Sequence, residues 1–396
     1  MHEQKIAQLE FVALMASLMA MVALTIDALL PALTAIGDSL NFQHPNDGQL
    51  LITMIFLGLG VGQLVFGPLS DTYGRKKMIY AGLFLFLIAS LICVFAVSLK
   101  VMILGRILQG IALSAPRTIS VSIIRDSYEG NYMAKIMSFV TVIFIIVPTI
   151  APALGKVIAD IYNWQAIFYA QLLFAVGIGC WFAIRQPETL AIQNRLPFTA
   201  TVFNNGIKEV FRYPQTVACT AISALITGSF MVYLSASQQV FQLQYGLVEE
   251  FPYIFASLAL TVGGATFING QLVMKFGMEG LLKWALRGFT LTSVLYIIIF
   301  YGSDNPPITY LLAFFGVQFF FLGFIFGNLR ALMMQPIGHI AGIGAAITGF
   351  LATVISVPLG TFIGSFVSTT ALPMFIGFAC CGITSLVIFY LLRRLF

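Results

Sequence analysis

Two apolar stretches of this sequence hold between them one carboxylate, two guanidinium groups and one amide. Asp27 lies in "ALTIDALLPAL", from Ala23 to Leu33, and positions 11–36 hold no other charge. An ionised carboxylate in the middle of an apolar helix costs about 2.5 to 3.5 kcal/mol even on lenient insertion scales, so such a residue needs a role. Arg106, Gln109 and Arg117 share a second apolar stretch. Arg117 follows Arg106 by eleven residues, close to three turns at 3.6 residues each, so both guanidiniums point to one side of a helix. Gln109, three residues after Arg106, joins that face. Asp27 is nine residues from Ile36, and Arg106 is eight from Ser98. At 1.5 Å per residue, both lie about 12 to 14 Å below the same surface and can meet if their helices are neighbours. Two readings stand side by side. Asp27 and Arg106 form a buried ion pair that locks the fold, or the carboxylate gains and loses a proton while the arginine helps release it.

The elements that must position these groups are membrane helices. Hydrophobic residues make up 59% of the 396 positions and charged ones 9%, against about 45 to 50% and 25% in a soluble domain. Twelve apolar spans recur, at 10–37, 47–70, 76–98, 99–124, 132–160, 164–186, 214–243, 250–275, 283–302, 307–330, 340–368 and 371–392. They lack the alternation of barrel strands, so helices are the remaining way to cross. The opening "MHEQKIAQLE" has no small-residue cleavage pattern, and the first span is expected to stay. With the N-terminus inside, sixteen Lys and Arg fall on the cytoplasmic side, while only Lys100 and Lys156 fall outside. The positive-inside rule therefore predicts that both termini are cytoplasmic. The net charge of +5 expresses this topology and calls for no nucleic-acid partner. Five cysteines and three histidines are scattered without metal-ligand or disulfide spacing. Within the spans no nucleophile pairs with a base, so no enzyme is expected. A channel would show single-site conductance rather than saturable, gradient-linked flux.

The polar interval from Gln186 to Tyr213 separates two halves. The expected domains are 1–186, a six-helix bundle; 187–213, a cytoplasmic linker with a short surface helix near its end; and 214–396, a second six-helix bundle. The halves echo each other. Gly67-Pro68-Leu69 with Tyr73-Gly74 returns 203 residues later as Gly270-Gln271-Leu272 with Phe276-Gly277, and Pro152-Ala153-Leu154-Gly155 has a counterpart in Pro358-Leu359-Gly360. Such duplication marks a rocking transporter with its site between the halves. The fold class expected is thus an all-α membrane protein of twelve helices in two pseudo-symmetric bundles.

After the second span stands "GPLSDTYGRKK", Gly67 to Lys77, with the pattern G-x-L-x-D-x-x-G-R-K-K. Gly67 permits close helix approach, Gly74 a tight turn, and Asp71 can pair with Arg75. The pattern resembles the signature loop of the major facilitator superfamily. That resemblance implies a cytoplasmic latch built from Gly67, Asp71, Gly74 and Arg75, with Asp126 as partner.

Further stretches, "IDALLPAL", "GRILQG", "PTIAPALG", "NWQAIF", "PETL" and "HIAGIGAAITG", occur in order along nearly the whole chain. With the loop they resemble the bicyclomycin-resistance (Bcr/CflA) group of drug:proton antiporters. The resemblance implies a bacterial inner-membrane, monomeric exporter of small amphipathic compounds, with protons as the coupling ion and no cofactor. Asp27 then matches the acid of D-x-x-x-P, and Arg106 the arginine of R-x-x-Q-G. Pro148, Pro152 and Gly155 match the bent fifth helix, although Lys156 replaces a last glycine and puts close packing there in doubt. Ala28 and Leu29 replace an expected aromatic after the acid, which suggests a wider pocket. Gln109 and Arg117, with Tyr233, Gln238 and Gln318 from the aromatic-rich second half, are the expected substrate contacts. An exporter or proton symporter of an endogenous metabolite or siderophore is the alternative.

Overall fold

The computed structural model describes residues 2–44, 46–128, 130–195 and 200–391. The side chains of 2–7, 130–132, 134, 135, 138, 139, 141–145, 194, 200–203, 339 and 341 lie outside that description. So do Arg393 and Arg394, and the side chains of Lys5 and Lys135, four of the cations that set the expected topology. Fourteen α-helices follow one another among the described residues: α1 His2–Asp27, α2 Leu33–Leu40, α3 Asp47–Tyr73, α4 Arg75–Val94, α5 Leu99–Ser127, α6 Gly130–Ile161, α7 Trp164–Arg185, α8 Ala200–Arg212, α9 Pro214–Gln238, α10 Phe251–Phe276, α11 Met278–Phe300, α12 Ile308–Met334, α13 Ala341–Gly364 and α14 Leu372–Leu391. Eleven segments among the described residues are long and apolar enough to cross a membrane. The twelfth expected span coincides with α6, a helix of 32 residues.

The first span is not one helix, as its unbroken apolar run suggested. α1 stops at Asp27, a short 3-10 turn covers Leu30–Ala32, and α2 resumes at Leu33. Pro31 explains the break. Its missing N–H would have bonded the carbonyl four residues earlier, which is that of Asp27, and its ring crowds the same oxygen. The seventh span passes from α9 directly into a π-helical turn, Gln239–Gln244. Capping is visible where "NWQAIF" begins α7: Asn163 Oδ1 accepts from the N–H of Ala166 at 2.9 Å, the ordinary N-cap bond.

The chain forms two compact units, one of residues 1–42 and 54–199, the other of 43–53 and 200–396. The division after residue 199 falls inside the interval read as a linker. In the first unit, α3 and α5 cross glycine on glycine. A Cβ on Gly58 would lie 2.1 Å from the carbonyl oxygen of Ile107, and one on Gly110 would lie 2.0 Å from that of Ile55. Gly110 closes the "GRILQG" stretch, so the motif owes its glycine to this crossing. Gly67, expected to make the close approach, does not: a Cβ there would meet only Thr118 Cγ2, at an ordinary 3.9 Å. The close approach runs from Gly58 to Gly62, where a Cβ would lie 2.6 Å from the carbonyl oxygen of Ile111, and at Gly67 only an ordinary side-chain contact remains.

The second unit is held by rings. Tyr233 packs on Phe319 at 4.5 Å between centroids and on Phe315 at 5.5 Å, and Tyr296 stacks on Phe375 at 3.7 Å. These side chains are almost fully buried. Within this unit Gln49 Nε2 donates to Gln239 Oε1 at 2.8 Å and to the carbonyl of Gly364 at 3.1 Å. The surface helix α8 rests on α13, where Gly206 faces Ile343 and Ile347, and it leaves Ile207 and Phe211 exposed.

Candidate functional site

The break after Asp27 organises the deep polar site of the first unit. A helix leaves its last carbonyls without amide partners. The carbonyl of Leu24 accepts from the N–H of Ala28 at 3.2 Å. The carbonyl of Thr25 is taken instead by Arg106, whose Nη1 and Nη2 reach it at 3.2 and 3.3 Å. A guanidinium at this position also complements the negative end of the helix dipole. Arg106 is fully buried. Its Nη1 further donates to Gln109 Oε1 at 2.9 Å, and Gln109 Nε2 donates to Ser90 Oγ on α4 at 2.8 Å. Arg106 is thus held by a relay through three helices, α1, α5 and α4.

Asp27 is 4% exposed and, among the described residues, makes no hydrogen bond or ion pair. The equal depth of Asp27 and Arg106 therefore has a different consequence from the expected pair. The guanidinium meets α1 two residues from the acid but grips backbone, which leaves the carboxylate without a counter-ion within 4 Å. Gln109, expected to face substrate, is bound on both sides and buried. Arg117, one residue past Pro116, is half-buried.

The backbone just past the acid is closed by α6. A Cβ on Gly155 would stand 1.8 Å from the carbonyl oxygen of Ala28. Close packing thus survives the lysine at 156, whose Nζ turns to Asp160 at 2.8 Å. Pro148 and Pro152 lie inside the continuous α6, where Pro152 has no N–H for the carbonyl of Pro148. Ala28 and Leu29, read as widening a pocket, are buried. The small residue at 28 is what Gly155 packs against.

A second cluster joins α3, α4 and α5 at the other end of the unit. Gly74, at φ 103°, makes the turn that only glycine adopts readily. Arg75 Nη1 donates to Asp71 Oδ1 at 2.5 Å and to Ser70 Oγ at 2.8 Å, and its Nε donates to Asp126 Oδ2 at 2.9 Å. The sequence pattern did not expose the role of Glu188. Its Oε1 accepts from the N–H of Arg75 at 2.9 Å and its Oε2 from that of Lys76 at 3.1 Å, so it caps α4 from 113 residues away. Its only signal was its place in "PETL", with no local spacing to link it to Arg75. Glu188→Ala should lower stability by about 1 kcal/mol, the usual worth of a cap, and speed amide exchange at Arg75 and Lys76. Glu188→Gln should lose less, and unchanged exchange in the alanine variant would remove the assignment.

In the second unit, Tyr233 lies in the ring cluster, Gln238 Nε2 donates to Gln242 Oε1 at 2.9 Å, and Gln318 Nε2 donates to Ser293 Oγ on α11 at 2.8 Å. All three are at most 5% exposed. No group of three His, Cys, Asp or Glu that could hold a metal occurs among the described residues.

Comparison with known proteins agrees with this architecture. A bicyclomycin resistance protein homolog of Haemophilus influenzae is 26% identical over 383 residues, covering 93% of this chain and 92% of that one. The multidrug resistance protein MdtL of Salmonella typhi is 24% identical, covering 92% and 90%. A crystal structure of a peptide transporter, POT, in complex with sulfate superposes with a TM-score of 0.72 at 12% identity, over 97% of this chain and 94% of that one. The family model of the Major Facilitator Superfamily matches residues 14–361. The chain is a multi-pass membrane transporter, not an enzyme, and it belongs to the Major Facilitator Superfamily.

Proposed function

We propose that this transporter exports small amphipathic compounds in exchange for protons by alternating access, with Asp27 as the proton carrier. The observation that carries the reading is the buried carboxylate with no partner among the described residues, set at a helix break beside a guanidinium already committed to backbone. A carboxylate locked in an ion pair has its charge fixed by its partner. One without a partner is free to change state when water reaches it, and only the protonated form is cheap when water is excluded. Drug-resistance proteins among the relatives support the substrate class. The loop cluster around Arg75 would steady the cytoplasmic face, with both termini cytoplasmic in a bacterial inner membrane and the monomer as the working unit.

The test is transport in everted vesicles carrying the protein. An imposed gradient, acid inside, should drive uptake of an amphipathic cation such as ethidium, and nigericin should abolish it. Uptake that ignores the gradient would overturn proton exchange. Uptake driven by acid outside would instead indicate symport.

A further inference from the structure

The outer surface of the second unit carries two cations that meet no anion among the described residues. Lys283 and Arg287 stand one turn apart on α11. The Lys283 ammonium lies 5.7 Å and the Arg287 guanidinium 5.6 Å from the centre of the same ring, Tyr390 on α14. Among the described residues neither donates a hydrogen bond or joins an ion pair, and Glu279, one turn before Lys283, comes no closer than 4 Å. Two like charges gathered at one ring repel, and each cation–π contact returns only about 0.5 to 1 kcal/mol at an exposed site. A phosphodiester placed between them would accept from the ammonium and from the guanidinium fork at once.

The surroundings select the source of that phosphate. Beyond the cations α11 presents an exposed apolar stripe, Trp284, Leu291 and Ile298, and α14 presents Ile383 and Val387 alongside Tyr390. Trp284 and Tyr390 sit near the same helix ends, as aromatic side chains do at the edge of a bilayer. A charged surface patch flanked by two apolar ridges fits a molecule with an anionic head and acyl chains. We infer that Lys283, Arg287 and Tyr390 form a headgroup site for an acidic phospholipid, whose chains lie along α11 and α14.

The purified full-length protein in detergent is titrated with dioleoyl phosphatidylglycerol, dioleoyl phosphatidylcholine or inorganic phosphate, and bound adducts are read by native mass spectrometry. Phosphatidylglycerol should bind first and tightest. K283Q/R287Q should weaken that first site about 30-fold, the equivalent of about 1 kcal/mol for each cation near a membrane surface. K208Q/R212Q, on the surface helix α8, should leave it unchanged. Equal affinity for phosphatidylcholine, equal binding of free phosphate, or an equal loss in both double variants would each overturn the site. A second measurement needs no charge variant: phosphatidylglycerol with brominated chains should quench Trp284, identified by comparison with W284F, more strongly than brominated phosphatidylcholine. Equal quenching would also overturn it.

Discussion

Asp27→Asn should abolish gradient-driven transport, to the level of empty vesicles, while leaving the protein at least as stable as the wild type. Both halves of that expectation follow from the surroundings of the carboxylate. It meets no cation within 4 Å and accepts no hydrogen bond among the described residues, so the amide breaks no contact. The carboxylate is also the last residue of α1, where an anion opposes the helix dipole at a cost of about 0.3 to 1 kcal/mol. Removing the charge relieves that cost and the cost of burying it. The amide, however, cannot exchange a proton, and any coupling that runs through this side chain ends.

The paired readout separates the two readings of the site. If Asp27 served only to hold the fold, the asparagine variant would unfold at a lower temperature and still respond to an imposed pH gradient. Arg106→Gln should behave in the opposite way on stability. The carbonyl of Thr25 would lose both of its guanidinium donors inside a dry interior, and a buried acceptor left unsatisfied costs about 1 to 3 kcal/mol. A thermal midpoint that rises or holds in D27N and falls in R106Q, measured on detergent-purified protein, is the signature of a capped helix end beside a free carboxylate.

How much of this was legible in the residues depends on how local each cause is. The spans could be read because an apolar run of twenty residues has few alternatives, and the Gly74 turn because a positive φ selects glycine. The pairing of Arg75 with Asp71 was legible from their closeness in sequence, four residues apart across the Gly74 turn. The break after Asp27 was written in Pro31, four residues on, but the continuous apolar run hid it. Other features depend on where two helices cross, which no spacing along one of them records. Gly58 rather than Gly67 meets α5, and Glu188 rather than a nearer acid caps α4. Arg106 reached the predicted level yet chose a carbonyl over the carboxylate, because the break had freed that carbonyl. Gln109 and Gln318 look like substrate contacts in one dimension, but each finds a serine on a neighbouring helix once the bundle forms.

Gly155 carries the other large expected effect. A Cβ added there would stand 1.8 Å from the carbonyl oxygen of Ala28, 2.7 Å from its carbon and 2.9 Å from its Cα. All three are backbone atoms, so no side-chain rotation relieves the clash, and α6 must retreat from the break. Overpacking of this kind costs about 1 to 3 kcal/mol when side chains can adjust, and a backbone obstacle places Gly155→Ala at or above the upper end. The same substitution at Gly177 on α7, where nothing lies within 4 Å, should stabilise the protein by up to about 1 kcal/mol through helix propensity. Opposite shifts in thermal midpoint are therefore expected from one change of chemistry at two positions. Because the retreat would loosen the turn that follows Asp27, Gly155→Ala should also lose gradient-driven transport, whereas Gly177→Ala keeps it. Lys156→Gly should lower the thermal midpoint only by the helix-propensity cost of an interior glycine, about 1 kcal/mol, and should keep gradient-driven transport, since that side chain turns to Asp160. If Gly155→Ala transported normally and unfolded with the wild type, the packing of α6 on the break would have no part in holding the acid.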